Sequence, residues 1–253
     1  MDLMETGLLL ATISVVAGAV NAIAGGGSFL TFPALLLTGM PSITANATNN
    51  TAMWFGTAAS AAGYREELRE TRAVNLRLVL SSAAGSMIGA VLVLITPEAA
   101  FTKAIPFLLL SATLLFIAGP HLVRKAGQPS ETLTLPRWGQ PAQFALGIYG
   151  GYFGAGVGIA TLALLAQMGF TKIHQMNGIK TLLTSCMNGV AVLPFAIAGA
   201  IAWKWAAVMC GGAVLGGYLG ARVARQLPPK RVRQVVIVVA VSMTAYFFWK
   251  TYG

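Results

Sequence analysis

Val20-Asn21-Ala22-Ile23-Ala24-Gly25-Gly26-Gly27-Ser28-Phe29-Leu30-Thr31-Phe32-Pro33 places three consecutive glycines inside a run that is otherwise apolar. Each glycine costs a helix interior about 1 kcal/mol relative to alanine, so three together predict a break. A related interruption returns as Gly150-Gly151-Tyr152-Phe153-Gly154-Ala155-Gly156-Val157-Gly158. Both lead into a short apolar run closed by a glycine turn, at Gly39 and Gly169. Gly26, Thr31, Leu35 and Gly39 match Gly156, Thr161, Leu165 and Gly169 at a constant offset, and Asn46, Gly85, Gly89, Ala90 and Pro97 match Asn177, Gly216, Gly220, Ala221 and Pro228 one residue further on. Agreement over so many small or polar positions predicts an internal duplication.

Composition sets the class. Of the 253 residues 56% are hydrophobic and 9% charged, where a soluble domain carries about 25% charged residues. Several apolar runs approach the roughly 20 residues that cross a bilayer as helix, and no alternating ten-residue strands appear. The chain therefore reads as an all-α integral membrane protein with lipid as its surroundings. A net charge of +10 does not point to nucleic acid here, because basic loops are how a membrane protein is oriented. Acidic residues stop at Glu131, whereas Lys and Arg continue to Lys250. Cys186 and Cys210 lie in apolar segments and suggest neither a disulfide nor a metal site. His121 and His174 stand singly, so no cofactor or metal is expected. The N-terminus lacks the basic start of a signal peptide, and the first apolar segment is expected to stay.

The duplication divides the chain into a first transmembrane repeat (1–120), a cytoplasmic linker (121–140) and a second transmembrane repeat (141–253). The first repeat is read as a broken segment (7–23, then 29–37) and helices over 43–62, 74–95 and 103–118, with a charged loop at 65–77. The second is read as 142–153 with 157–167, then helices over 174–200, 205–222 and 232–249. Arg65, Arg69, Arg72 and Arg77, and Arg124, Lys125 and Arg137 in the linker, belong in the cytoplasm, so the Pro97 turn lies outside. Arg222, Arg225, Lys230, Arg231 and Arg233 put the matching Pro228 turn inside. Equivalent turns on opposite sides mean inverted repeats, which need an odd number of crossings each. That follows if each broken segment is a re-entrant hairpin that turns at mid-depth, followed by three transmembrane helices. The alternative is eight full crossings in parallel repeats, the first arm being nearly long enough to span.

Irregular backbone at membrane depth is tolerated only where protein or a water-filled cavity supplies partners. Two glycine tips entering from opposite faces should meet, with Gly25, Gly26, Gly27 and Ser28 facing Gly154, Gly156 and Gly158. The helices that follow would start there, and free N–H groups at a helix start attract anions. Close packing explains one such break but explains two symmetric ones less well. Asn46, Asn49, Asn50 and Thr57 share one helical face, and Asn177, Lys180, Thr181, Thr184 and Asn188 form its counterpart. A single buried asparagine is ordinarily helix-to-helix glue. Lys180 is different, since a buried cation needs a partner and the second half has no carboxylate. Either an anionic substrate is that partner or the side chain snorkels to the surface. Cys186, on the same helix, is read as a small buried residue, with sulfur chemistry as the rival reading. No nucleophile–base pair, P-loop or paired carboxylates occur, so neither an enzyme nor an ATP-driven pump is indicated.

The first-half Asn21-Ala22-Ile23-Ala24-Gly25-Gly26-Gly27 with Pro33, the second-half Gly151-Tyr152-Phe153-Gly154-Ala155-Gly156, and the Leu227-Pro228-Pro229 turn resemble the sulfite exporter TauE/SafE family over nearly the whole chain. That resemblance implies a multi-pass transporter of the bacterial inner membrane whose substrate is a small sulfur-containing anion, sulfite or an organosulfonate such as sulfoacetate or sulfolactate. Export is the expected direction, although members also act in uptake. The expectation is thus a secondary transporter working by alternating access around a midplane anion site. An anion channel, or a membrane sulfur-transfer or redox protein using Cys186, is the alternative. Coupling through a buried acid is disfavoured, because none lies inside an expected helix; the coupling ion and a homodimer stay open.

Overall fold

A computed structural model describes residues 3–69, 71–125, 135–223 and 229–253. Its elements are α1 (Leu3–Ala24), α2 (Ser28–Leu37), α3 (Ser42–Gly63), α4 (Arg65–Arg69), α5 (Arg72–Ile95), α6 (Glu98–Lys125), α7 (Gly139–Tyr152), α8 (Val157–Gln167), α9 (Ile173–Ile197), α10 (Trp203–Val223) and α11 (Pro229–Tyr252). No strand occurs among the described residues. Most of the expected linker, the Leu227-Pro228 part of the last turn, and Arg225 and Glu131 lie outside the described residues.

Among the described residues five helices are long and apolar enough to cross a membrane: α1, α5, α6, α9 and α11. α3 has 22 residues, but its asparagine face lowers its mean hydropathy; that face is turned into the protein, with Asn46, Asn49 and Asn50 all buried. Two expectations change. α1 has 22 residues, a rise of about 33 Å, so the first arm is no half-depth stub. The charged loop is also partly helical: Glu66 and Glu67 stand in the first turn of α4, where carboxylates complement the helix dipole.

Both breaks are sharp reversals. Gly25 (φ +79°) ends α1, and the chain folds back so closely that a Cβ on Gly27 would sit 2.5 Å from the Ala17 carbonyl oxygen. At the second break Gly154 and Gly156 both take positive φ (+78° and +75°), a region that disfavours L side chains.

Glycines also set which helices lie side by side. Gly212, Gly216 and Gly220 of α10 meet Ala11, Val15 and Ala19 of α1 in the same order along both helices, so the two run parallel. Gly85 and Gly89 of α5 meet Phe144 and Ile148 of α7, again parallel. By contrast Gly178 packs on Tyr64 and Gly189 on Trp54, so α3 and α9 run antiparallel. α6 and α11 are antiparallel too: the Tyr252 hydroxyl donates to the Lys103 carbonyl at 3.0 Å at one end, and Arg233 donates to the Phe116 carbonyl at 2.8 Å at the other. That last contact has a local cause. Pro120 has no N–H to offer the carbonyl four residues before it, and the guanidinium takes its place.

The core lies between these layers. Phe29 meets Phe116 edge to face at 5.6 Å and Phe32 meets Phe153 at 5.2 Å, which fixes α2 against α6 and against the second glycine tip.

Candidate functional site

The two glycine tips meet in the interior. A Cβ on Gly158 would lie 3.7 Å from the Gly25 carbonyl oxygen and 3.6 Å from Lys180 Cδ, and one on Gly25 would lie 3.8 Å from Lys180 Nζ. Three elements distant in sequence, the α1–α2 turn, the start of α8 and the middle of α9, thus converge on one lysine side chain. Around it lies a cavity of about 580 Å³ of space free of protein atoms, counting its open mouth.

Ten of the expected site residues line this cavity: Gly25, Ser28, Asn49, Asn50, Gly154, Gly156, Gly158, Lys180, Thr181 and Asn188. Four do not. Gly26 is pressed against Phe116 and Val236, and Gly27 against Ala17 and Asn21. Asn46 donates to the Tyr152 carbonyl at 3.0 Å and so ties α3 to the end of α7. Asn177 is half-buried one turn before Thr181, whose hydroxyl donates to its carbonyl at 2.6 Å. Asn21, Met53, Ser60 and Phe153 line the cavity without having been singled out. The helical face running through Asn49, Asn50 and Thr57 already passes through Met53 and Ser60, so spacing carried that signal; Met and Ser are simply less conspicuous than Asn.

Lining positions come in equivalent pairs. Ser28 and Gly158, Asn49 and Lys180, Asn50 and Thr181, Met53 and Thr184, and Thr57 and Asn188 all line the cavity, and each pair keeps the offset read from the sequence. Asn49 and Lys180 occupy one such pair, so the charge enters from one half only.

Lys180 is 4% exposed and does not snorkel. Its ammonium makes no ion pair or hydrogen bond among the described residues. Among the described residues the cavity lining contains no Asp, Glu, Arg or His, which leaves Lys180 as the single charge there. The second tip also offers backbone donors. In the second tip the Gly154 and Val157 N–H groups are used within the turn, at Tyr149 and Gly154, whereas those of Gly156 and Gly158 find no acceptor among the described residues. The Tyr149 hydroxyl donates to the Ala155 carbonyl at 2.7 Å and holds this tip in place.

The asparagines divide by role. Asn49 accepts from the Thr31 hydroxyl at 2.5 Å and fixes α3 to α2. Asn50 is 3% exposed, and neither its Oδ1 nor its Nδ2 has a partner. Cys186 turns elsewhere, its thiol directed to the Val79 carbonyl on α5 at 3.7 Å, and it does not line the cavity. No group of three or more His, Cys, Asp or Glu that could hold a metal occurs among the described residues.

Residues 10–247 match the family described as sulfite exporter TauE/SafE. The chain belongs to the sulfite exporter TauE/SafE family. It is similar to a "Probable membrane transporter protein" of Haemophilus influenzae, 35% identical over 94% of this chain and 92% of that protein. A "Probable membrane transporter protein ORF9" of a Sinorhizobium species is 30% identical over 90% and 87%, and "Probable membrane transporter protein YfcA" of Escherichia coli K12 is 28% identical over 95% and 89%. This member of the TauE/SafE family is a multi-pass membrane transporter.

Proposed function

We propose that this protein is a secondary transporter that moves a small sulfur-containing anion, sulfite or an organosulfonate, across the bacterial inner membrane, in the direction of export. The observation that carries the reading is the buried ammonium of Lys180, without a carboxylate, held where both glycine tips meet. Desolvating a lone cation costs several kcal/mol, and an anion beside it offsets that cost. The free N–H groups of Gly156 and Gly158 add donors for its oxygens, as helix starts do at anion sites. Gly25, Ser28, Asn49, Asn50, Thr181 and Asn188 complete the surroundings; Asn46 and Asn177 act from behind them.

The mechanism we infer is rocking of two inverted repeats about this site. Antiparallel α3–α9 and α6–α11 pairs, with parallel α1–α10 and α5–α7 pairs, are what a two-fold axis in the membrane plane generates. The turn before α10 lies beside the start of α3, where the Ala202 N–H donates to Thr48 Oγ1 at 3.0 Å. Parallel repeats would put those two segments on opposite faces.

Flux of sulfite and sulfonates into proteoliposomes tests the reading, with wild type compared with Lys180→Met. Saturable flux that Lys180→Met abolishes is the expected result. Flux that does not saturate would favour an anion channel, undiminished flux in the variant would remove Lys180 from the site, and no movement of any small anion would overturn the function.

A further inference from the structure

An oxoanion needs only donors, yet this cavity also presents acceptors. Asn50 leaves both halves of its amide unpaired, and exchanging its oxygen and nitrogen changes nothing, because neither has a partner. Four of the five hydroxyls among the described lining residues, all but that of Ser28, have already spent their protons. Thr57 donates to the Met53 carbonyl at 3.1 Å, Ser60 to Gly56 at 3.0 Å, Thr181 to Asn177 at 2.6 Å and Thr184 to Lys180 at 2.9 Å. A hydroxyl that bonds back along its own helix keeps only lone pairs for the cavity. The cavity is therefore rich in acceptors, beside the single positive charge among its described lining residues.

We infer that the substrate is a monoanion that carries a hydroxyl beside its acceptor oxygens, and that Asn50 reads that hydroxyl, its Oδ1 accepting the proton while its Nδ2 donates to an oxygen of the anionic head. This rests on the anion site proposed above and narrows its substrate class to hydroxylated sulfonates or hydrogen sulfite. A monoanion matches the charge, since Lys180 is the one cation among the described residues lining the cavity. A metal cation would satisfy the acceptors but would share the cavity with the ammonium and be repelled. Sites that hydrogen-bond a substrate hydroxyl reject the analogue lacking it far more strongly than apolar pockets reject a missing methylene, because their buried polar groups are left unpaired.

The test is equilibrium binding to the purified full-length protein in detergent, with ethanesulfonate, 2-hydroxyethanesulfonate and sulfite as probes, the last measured from mildly acidic to alkaline pH. Wild type is expected to bind 2-hydroxyethanesulfonate at least about tenfold more tightly than ethanesulfonate, and Asn50→Leu to lose that preference by weakening the hydroxylated probe much more than ethanesulfonate. If hydrogen sulfite is the natural ligand, sulfite affinity falls by a similar factor as its proton is lost. Equal binding of the two sulfonates together with pH-independent sulfite binding would overturn the inference while leaving the anion site standing. A preference that survives in Asn50→Leu would remove Asn50 as the reader. Binding of none of the three probes by wild type would sink the anion site itself. The comparison of probes on wild type stands whether or not the variant folds, and Asn50→Ser, smaller and still polar, provides a second variant.

Discussion

At the scale of single residues, Lys180 poses the sharpest conflict between stability and use. It is buried with no carboxylate among the described residues, so the empty protein bears a desolvation cost that a methionine of similar length would not. Lys180→Met is therefore expected to raise the melting temperature in detergent without ligand while abolishing stabilisation by sulfite. In wild type, ligand at a hundred times its dissociation constant should add about 2.7 kcal/mol; thermal melts with and without sulfite check both halves. A lower melting temperature for Lys180→Met would mean that the ammonium has a structural partner instead. Lys180 stands out in the sequence because charge is conspicuous among apolar residues and acids stop at Glu131. Asn50 was not separable from Asn46 and Asn49, since all three lie on one buried face; only the contacts distinguish one that ties down α7, one that holds α2 and one left open. Cys186 shares that limit: its helix was read correctly, but the angular position that turns it to Val79 rather than to the cavity needs the neighbouring helix.

At the scale of elements, the glycine breaks do two jobs that substitution can pull apart. Gly25 has positive φ, but the space beyond it is only lightly filled, with Ile159 Cγ1 at 3.7 Å and Lys180 Nζ at 3.8 Å from a built Cβ. Gly156 has the same strain, and its Cβ would lie 3.2 to 3.3 Å from Ala112. Gly25→Ala should thus cost about 1–2 kcal/mol in stability from the left-handed backbone alone while strongly weakening anion binding, because the methyl group points at the ammonium. Gly156→Ala should destabilise more, since α6 must also shift. Denaturation and binding measured on both variants check the contrast; equal losses in both properties would show the two tips to be mere packing. Where most helices begin and end followed closely from glycine, proline and apolar runs, although α6, expected over 103–118, runs from Glu98 to Lys125. The length of α1 did not, because Leu3–Met4–Glu5 reads as a polar-edged terminus in sequence, yet the helix starts there and continues to the break.

At the scale of the whole molecule, the two readings of the chain differ in where two turns lie. In inverted repeats with re-entrant hairpins, the 96–98 turn and the 198–202 turn are on the same outer face, with α4 inside. In eight full crossings with parallel repeats, those turns are on opposite faces. Hydrogen bonding in the fold favours the first: the Ser42 and Ile43 N–H groups donate to the Glu98 carboxylate, and Thr48 on the next turn of α3 accepts from Ala202, so both turns gather at the start of α3. The charges agree, since this topology leaves Lys103, Lys204 and Lys250 as the outer bases and puts the arginine-rich segments inside. Single cysteines at Ala99, Ala198 and Glu66, in a chain with Cys186 and Cys210 replaced by serine, turn this into a measurement, because all three positions are exposed. A membrane-impermeant thiol reagent applied to intact cells is expected to label Ala99→Cys and Ala198→Cys, and to reach Glu66→Cys only after the membrane is opened. Labelling of Ala198→Cys and Glu66→Cys together, with Ala99→Cys apart, would restore the parallel repeat. The rocking of inverted repeats proposed around Lys180 would then fall.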